Sequence, residues 1–140
     1  MYVSKAPIPS SPVVGWTPSL SRLRALSVHQ PWAWLIVSGV KDIENRLRRT
    51  HHRGPLLIHA GLSLDDYTEE NVKWVKRKHG ISVPLELDFG GIVGVADVID
   101  CVESLRPAWF NGPFGWVLAN PRRVKFRRCK GALGLFRPKC

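Results

Sequence analysis

A chain of 140 residues, with 44% hydrophobic and 23% charged residues, fits one domain around a single modest core and argues against global disorder. Its longest apolar run, residues 32–37, is far too short to cross a bilayer as a helix. The formal charge of +10 favours polyanionic partners, with nucleic acid ahead of an anionic membrane.

Residues 1–24 read as a flexible basic tail. They hold Pro7, Pro9, Pro12, Pro18, five serines and no acid, and no period of 2 or 3.6 is sustained. Translation from a false upstream start would give a similar segment. From residue 25 to 140 the pattern is that of a domain. Residues 25–29 alternate and suit a short strand. Pro31 fits the first turn of a helix. Trp32, Leu35 and Ile36 then repeat at i, i+3 and i+4 as one apolar face, and Gly39 is a plausible stop. A strand over 43–46 places Glu44 and Arg46 on the same side. Arg53-Gly54-Pro55 turns the chain into a buried strand over 56–60. Residues 63–66, with acids in the first turn, open a helix that reaches about Lys78, ends at Gly80 and turns Val72 and Val75 inward. A long Val- and Ile-rich strand covers 92–102, and two short strands cover 114–119 and 132–136. Gly112-Pro113 and Asn120-Pro121 punctuate them. Five or six strands with two helices define an α+β chain, and the count favours a small, partly closed β-barrel with helices at its ends.

Charge is segregated along the chain. Nine of the eleven acids fall between Asp65 and Glu103. After Glu103 there is no acid but nine basic residues: Arg106, Arg122, Arg123, Lys125, Arg127, Arg128, Lys130, Arg137 and Lys139. Arg46, Arg48, Arg49 and Arg53 form a second basic group, with His51 and His52 between them. A one-sided field orients a polyanion. Cys101, Cys129 and Cys140 lack CxxC spacing, so free thiols in a reducing cytoplasm are expected rather than a disulfide framework or zinc site. No signal-peptide core, metal-ligand spacing, P-loop, GxGxxG or GxSxG is present, and no cofactor is implied.

Five ordered segments resemble the ASCH domain, a branch of the PUA-like superfamily: LSVHQPWAWLI (26–36), GVKDIENR (39–46, matching GxKxxExR), RGPLLIHA (53–60), GGIVGVADVIDCV (90–102) and GPFGWVLANPRRV (112–124). The resemblance covers residues 25–136. The resemblance implies a PUA-like β-barrel, a cleft between barrel and helices, and a role in binding RNA or nucleotides. It also implies two activities seen in some relatives, cleavage of RNA and hydrolysis of acetylcytidine.

Lys41, Glu44 and Arg46 match the charged motif residue by residue. Lysine can hold a phosphate or act as a base, glutamate can accept from a base's exocyclic amine, and arginine can grip a phosphate or stack. The competing reading is an internal salt-bridge network that only closes the cleft. His29, Gln30 and Trp32 surround a strand-to-helix turn, where side chains and helix amides meet a cleft mouth. Trp32 is either a stacking surface or core, and Trp34 reads as packing. His59 ends a buried strand and is either a cleft residue or a satisfied core histidine. Trp116, within Phe114-Gly115-Trp116, is a further candidate with core packing as its alternative. Arg122, Arg123, Lys125, Arg127 and Arg128 read as a phosphate-tracking rim or as a charged, aggregation-resistant edge, and Arg48 and Arg49 of the second basic group are further nucleic-acid-binding candidates.

For catalysis, Lys41 and Glu44 are the candidates. Acetylcytidine amidohydrolases resemble this chain but carry a threonine nucleophile three residues after the motif lysine, where this chain has Glu44. Asp97 is the matching later acid. Ribonuclease action needs only a base, an acid and a cation around the RNA's own 2′-hydroxyl, roles that Lys41, Glu44 and His29 or His59 can fill. The leading expectation is a binding module for RNA or another nucleic acid, or for a modified nucleoside, with no membrane partner. A regulatory protein-interaction domain is the third class. The oligomeric state is not legible.

Overall fold

The computed structural model describes residues 12–104 and 109–140. Arg106 and residues 1–11 of the expected tail lie outside the described residues. The elements are β1 (Val13–Val14), a 3-10 turn (Leu20–Arg22), β2 (Ala25–Val28), α1 (Trp32–Val37), β3 (Ile43–Arg46), β4 (Gly54–Ala60), α2 (Glu69–His79), β5 (Gly91–Val102), β6 (Phe114–Arg128) and β7 (Leu135–Phe136).

The chain is α+β, as expected, with seven strands in one sheet of order β1-β6-β5-β4-β2-β7 and β3 paired to β6. β5 lies between β4 and β6 and pairs with both along most of its length. It is therefore hydrogen-bonded on both edges, and its residues from Gly91 to Val98 are buried or half-buried on both faces, which suits their Val/Ile-rich composition. The expected barrel does not close by strand pairing. β3 borders β6, while β2 and β7 form the other end of the sheet. With four residues in β3 and two in β7, too few backbone groups are available for a closing ladder. A side chain spans part of the gap instead: Arg46 Nη2 donates to the Ser27 carbonyl at 2.7 Å.

Three further expectations need correction. Short pieces of residues 13–23 do take regular structure, at Val13–Val14 and Leu20–Arg22. Val13 and Val14 pair in parallel with Arg123 and Val124, and Trp16, Leu20 and Leu23 pack on a cluster that includes Ala25, Leu57, Ile92 and Val124. Asn120-Pro121 does not end its strand. Ala119 faces Asp97 and Arg122 faces Val95, so Asn120 and Pro121 together oppose Ala96 as a bulge. Asn120 takes φ 51°, and a bulge is where a strand tolerates a proline. The cysteines are not all free: Cys129 and Cys140 are joined by a disulfide, their Cα atoms 4.7 Å apart, and Cys101 is the free, buried one. Chain reversal between residues 129 and 140 brings them together, a proximity that motif spacing does not encode. Among the described residues, no helix is long and apolar enough to cross a membrane.

α1 is apolar on two sides rather than one. Ala33, Ile36 and Val37 pack on the sheet, whereas Leu35 joins Val40, Ile43, Val75 and Trp109 in a second cluster. Trp32 touches both. α1 approaches the sheet closely at Gly94, where an added Cβ would lie 2.4 Å from Val37 Cγ1. α2 starts later than expected. Ser63 Oγ is taken by the Asp65 amide and Asp66 by His29, so the true cap is Thr68, which accepts from the Asn71 amide at 3.1 Å. Glu69 and Glu70 in its first turn and Lys76, Arg77 and Lys78 in its last suit the helix dipole, and Gly80 closes it in the left-handed region. Val75 is fully buried, as expected, and Val72 partly so.

Candidate functional site

The cleft is built outward from β3. Strand alternation puts Glu44 and Arg46 on one face, and Lys41 reaches the same place from just before the strand. Lys41 and Glu44 are only 7% and 8% exposed. Lys41 Nζ donates to the Ile43 carbonyl and lies 3.6 Å from Glu44 Oε1. Glu44 Oε2 accepts from Arg46 Nε at 2.8 Å, so each carboxylate oxygen has one cation. Burial pushes the Lys41 pKa below its ordinary value of 10.5; Glu44 opposes the shift, Arg46 adds to it and Asp42 opposes it.

An aromatic wall faces this charge. Trp109 is fixed from three directions: its Nε1 donates to the Val40 carbonyl at 3.1 Å, its ring stacks on His79 at 4.0 Å between centroids, and its own carbonyl accepts from Asn45 Nδ2 at 2.9 Å. Asn45 Oδ1 also accepts from the amides of Asn111 and Gly112. The odd-numbered face of β3 thus holds the loop that presents Trp109, while the even-numbered face carries the charge. Trp74 from α2 and Trp32 from α1 meet Trp109 edge-on at 5.6 and 6.4 Å, and Lys41 Nζ lies 5.8 Å from its centroid. All three tryptophans line a cleft of about 670 Å³. At one side His29 Nδ1 meets Asp66 Oδ2 at 2.9 Å, and Leu47, Leu62 and Leu133 complete the lining.

A second recess of about 530 Å³ shares Ser27, Gly61 and Leu62 with the cleft and adds His59, Arg128 and Lys130. His59 Nε2 is 2.6 Å from the Cys129 carbonyl, which can only accept, so Nε2 carries a proton, and Nδ1 is hydrogen-bonded with Ser27 Oγ at 2.9 Å. The pair lies against Gly131, where a Cβ would sit 2.7 Å from both His59 Cε1 and Ser27 Oγ.

The structure brings together His29, Trp32, Lys41, Glu44 and Arg46 at the main cleft. Gln30 is not on its wall. It is 1% exposed, donates to the Asp88 carbonyl and accepts the Trp34 amide, so it braces α1. The amides of Ala33, Trp34 and Leu35 are all taken within the chain, which leaves this short helix few donors for an anion. His59 lies in the second recess. Trp116 is in the core and donates from Nε1 to the Arg48 carbonyl at 3.1 Å. Arg48 is exposed next to Leu47; Arg49 pairs with Glu103 and lies over Phe114. Arg122 pairs with Asp97 at 3.2 Å, and Asn120 Nδ2 donates to the same carboxylate, so neither Arg122 nor Asp97 reaches the cleft. Arg123 sits in register with Val13, Arg127 lies over Trp16 at 4.6 Å, and Arg128 is exposed at the recess. Sequence reasoning missed Asn45, Asp66, Trp74 and Trp109. Asn45 stands inside the GxKxxExR motif and was the one with a signal. Among the described residues, no cluster of three or more His, Cys, Asp or Glu is placed to hold a metal.

The family model described as "ASCH domain" matches residues 26–126. Activating signal cointegrator 1 of Homo sapiens is 33% identical over 115 residues, covering 72% of this chain and 20% of that protein. Activating signal cointegrator 1 of Mus musculus is 37% identical over 83 residues, covering 56% and 14%. The chain thus spans a fifth or less of the length of these curated relatives. The crystal structure of a ZmASCH mutant protein from Zymomonas mobilis aligns with a TM-score of 0.46 at 15% identity, over 75% of this chain and 74% of that one.

Proposed function

The chain belongs to the ASCH domain family, and from that premise we propose that it is a nucleic-acid-binding module, with RNA its foremost ligand, that admits one base into the cleft walled by Lys41, Glu44 and Arg46. The observation that carries this reading is a buried Lys41–Glu44 ion pair, with the half-buried Arg46 beside it, on the wall of an open cavity. Withdrawing such ions from water costs several kcal/mol each, and well-packed apolar residues are often at least as stable. Stability alone gives little reason to place this group beside solvent-filled space. Base recognition does: a carboxylate accepts from the exocyclic amine of cytosine, an ammonium donates to a ring or phosphate oxygen, and tryptophan offers a stacking face worth about 1–3 kcal/mol.

The test is binding of short RNA and DNA oligomers and of free and modified nucleosides, with retention and turnover followed together by mass spectrometry. Affinity for oligomers is expected to fall with salt. Glu44→Gln and Lys41→Met are expected to weaken binding by about tenfold, the scale of one lost polar contact of about 1.4 kcal/mol. A flat salt response, or full affinity in both variants, overturns the proposal.

A second reading, cleavage of single-stranded RNA, is favoured by one observation. His29 lines the cleft with Nδ1 engaged by Asp66, an arrangement that orients an imidazole and leaves Nε2 for proton transfer. Cleavage that survives His29→Ala and Lys41→Met in a highly purified preparation would remove it.

A further inference from the structure

Three leucines stand in solvent around the mouth of the cleft. Leu47 is 82% exposed, Leu62 74% and Leu133 98%, and all three line the same cavity. They come from three separate segments, following β3, following β4 and preceding β7. Single exposed leucines are ordinary, but three converging from distant parts of the chain on one opening are not. Nor are they all loosely placed: an added Cβ on Gly90 would lie 2.8 Å from Leu62 Cδ2, so Leu62 rests on the backbone of the neighbouring strand entry.

Two of the three loops also carry exposed cations. Arg48 follows Leu47 directly, and Arg128 and Lys130 lie on the stretch that leads to Leu133 and line the recess Leu62 shares. An apolar tip flanked by cations matches a nucleic-acid strand, whose phosphates run outside its stacked bases. The kind of apolar residue matters. Proteins that track single strands offer exposed aromatic faces on which successive bases stack. Among the described residues, every large exposed hydrophobic is Val, Leu or Ile; the tryptophans of the site are inside the cleft, and Trp109 is only 8% exposed. Aliphatic tips do not provide a stacking platform, but they do insert as wedges between base steps of a duplex and unstack them.

We propose that Leu47, Leu62 and Leu133 form a collar that draws the bound nucleotide out of a base-paired duplex, wedging the neighbouring bases while the extruded base enters the cleft. This rests on the base-binding reading above and adds to it the form of nucleic acid that supplies the base. The collar accounts for apolar surface placed at the entrance to a polar site, which a cleft for free nucleosides does not require.

The experiment uses RNA and DNA duplexes with a central 2-aminopurine, whose fluorescence rises on unstacking, and matching single strands as a reference. The native chain is expected to bind the duplexes and raise their fluorescence. The variant with Leu47→Ala, Leu62→Ala and Leu133→Ala, all at exposed positions, is expected to lose the fluorescence rise and to bind duplex at least about tenfold more weakly, a larger loss than any it shows on the single strand. Duplex binding by the native chain without a fluorescence rise overturns the collar but leaves the base-binding reading standing on the single-strand data. An unchanged fluorescence response in the triple variant also overturns it. Failure to bind either form overturns both.

Discussion

On β3 and just before it, Lys41 and Arg46 share one carboxylate, with side chains 7% and 28% exposed, whereas at the last residue of β6 and just after it Arg128 and Lys130 stand in solvent beside the second recess. Both regions are basic, but their charges do different physical work. Charges withdrawn from water must be matched atom by atom, so the β3 group fixes geometry: Glu44 locates Lys41, and Arg46 ties β3 to the Ser27 carbonyl of β2 across the unclosed side of the sheet. Exposed charges are screened within about a Debye length and exert force without fixed geometry. One region is therefore suited to recognising a shape, the other to attracting a polyanion. Net charge, which summarises both, separates neither.

The contrast breaks most visibly at Glu44. Glu44→Ala leaves the buried Lys41 and the half-buried Arg46 without their shared anion, and is expected to cost about 3–5 kcal/mol in denaturant unfolding. A loss below about 1 kcal/mol, the level of an exposed pair, would place this group with the surface charges instead. Arg46→Met comes next. It keeps an apolar stem but removes two charge-assisted hydrogen bonds, one of them the link from β3 to β2. The expected loss is about 1.5–3 kcal/mol with faster amide exchange in β2. Unchanged exchange there would show that the sheet does not need the strap.

Much of this arrangement was legible before the coordinates. The bounds of β3, the inward Val75 and the shared face of Glu44 and Arg46 follow from periodicity alone, because a period of 2 or 3.6 is a local property. What could not be read depends on long-range proximity. Trp109 is 65 residues beyond Glu44 in sequence and is held at the cleft by Asn45, the Val40 carbonyl and the His79 ring, all distant from it in sequence. Trp74 looked like any helix residue until α2 was placed. Asn120-Pro121 was misread because a turn and a bulge use the same residues, and only the partner strand decides between them. The disulfide was missed because its two ends meet by chain reversal.

Titration sharpens the comparison at Lys41. Its folded pKa is lowered from 10.5, chiefly by burial. Between that lowered value and 10.5 the unfolded chain holds a proton that the folded chain does not, so stability gains a contribution that rises with pH, by up to about 1.4 kcal/mol per unit. Below the lowered value both states are protonated and the contribution is absent. The stability of the native chain relative to Lys41→Met is therefore expected to improve as pH rises through this window. A constant difference would mean that Lys41 titrates like a solvated lysine.

The smallest effect on folding is expected at the exposed end. Arg128→Ala with Lys130→Ala removes two charges that stand in solvent, and stability should stay within about 0.5 kcal/mol per site. Binding should change instead. Each lost phosphate contact lowers the slope of log affinity against log salt by about 0.7 on a single strand, so the double variant should bind more weakly at low salt and converge on the native chain at high salt. Glu44→Gln should do the reverse, shifting affinity by a similar factor at every salt concentration, because a contact made to a buried carboxylate is little screened. Parallel salt slopes for the native chain and the Arg128/Lys130 variant would mean that the exposed cations do not meet phosphate. A salt-dependent Glu44 effect would mean that the cleft is wetter than its buried carboxylate suggests.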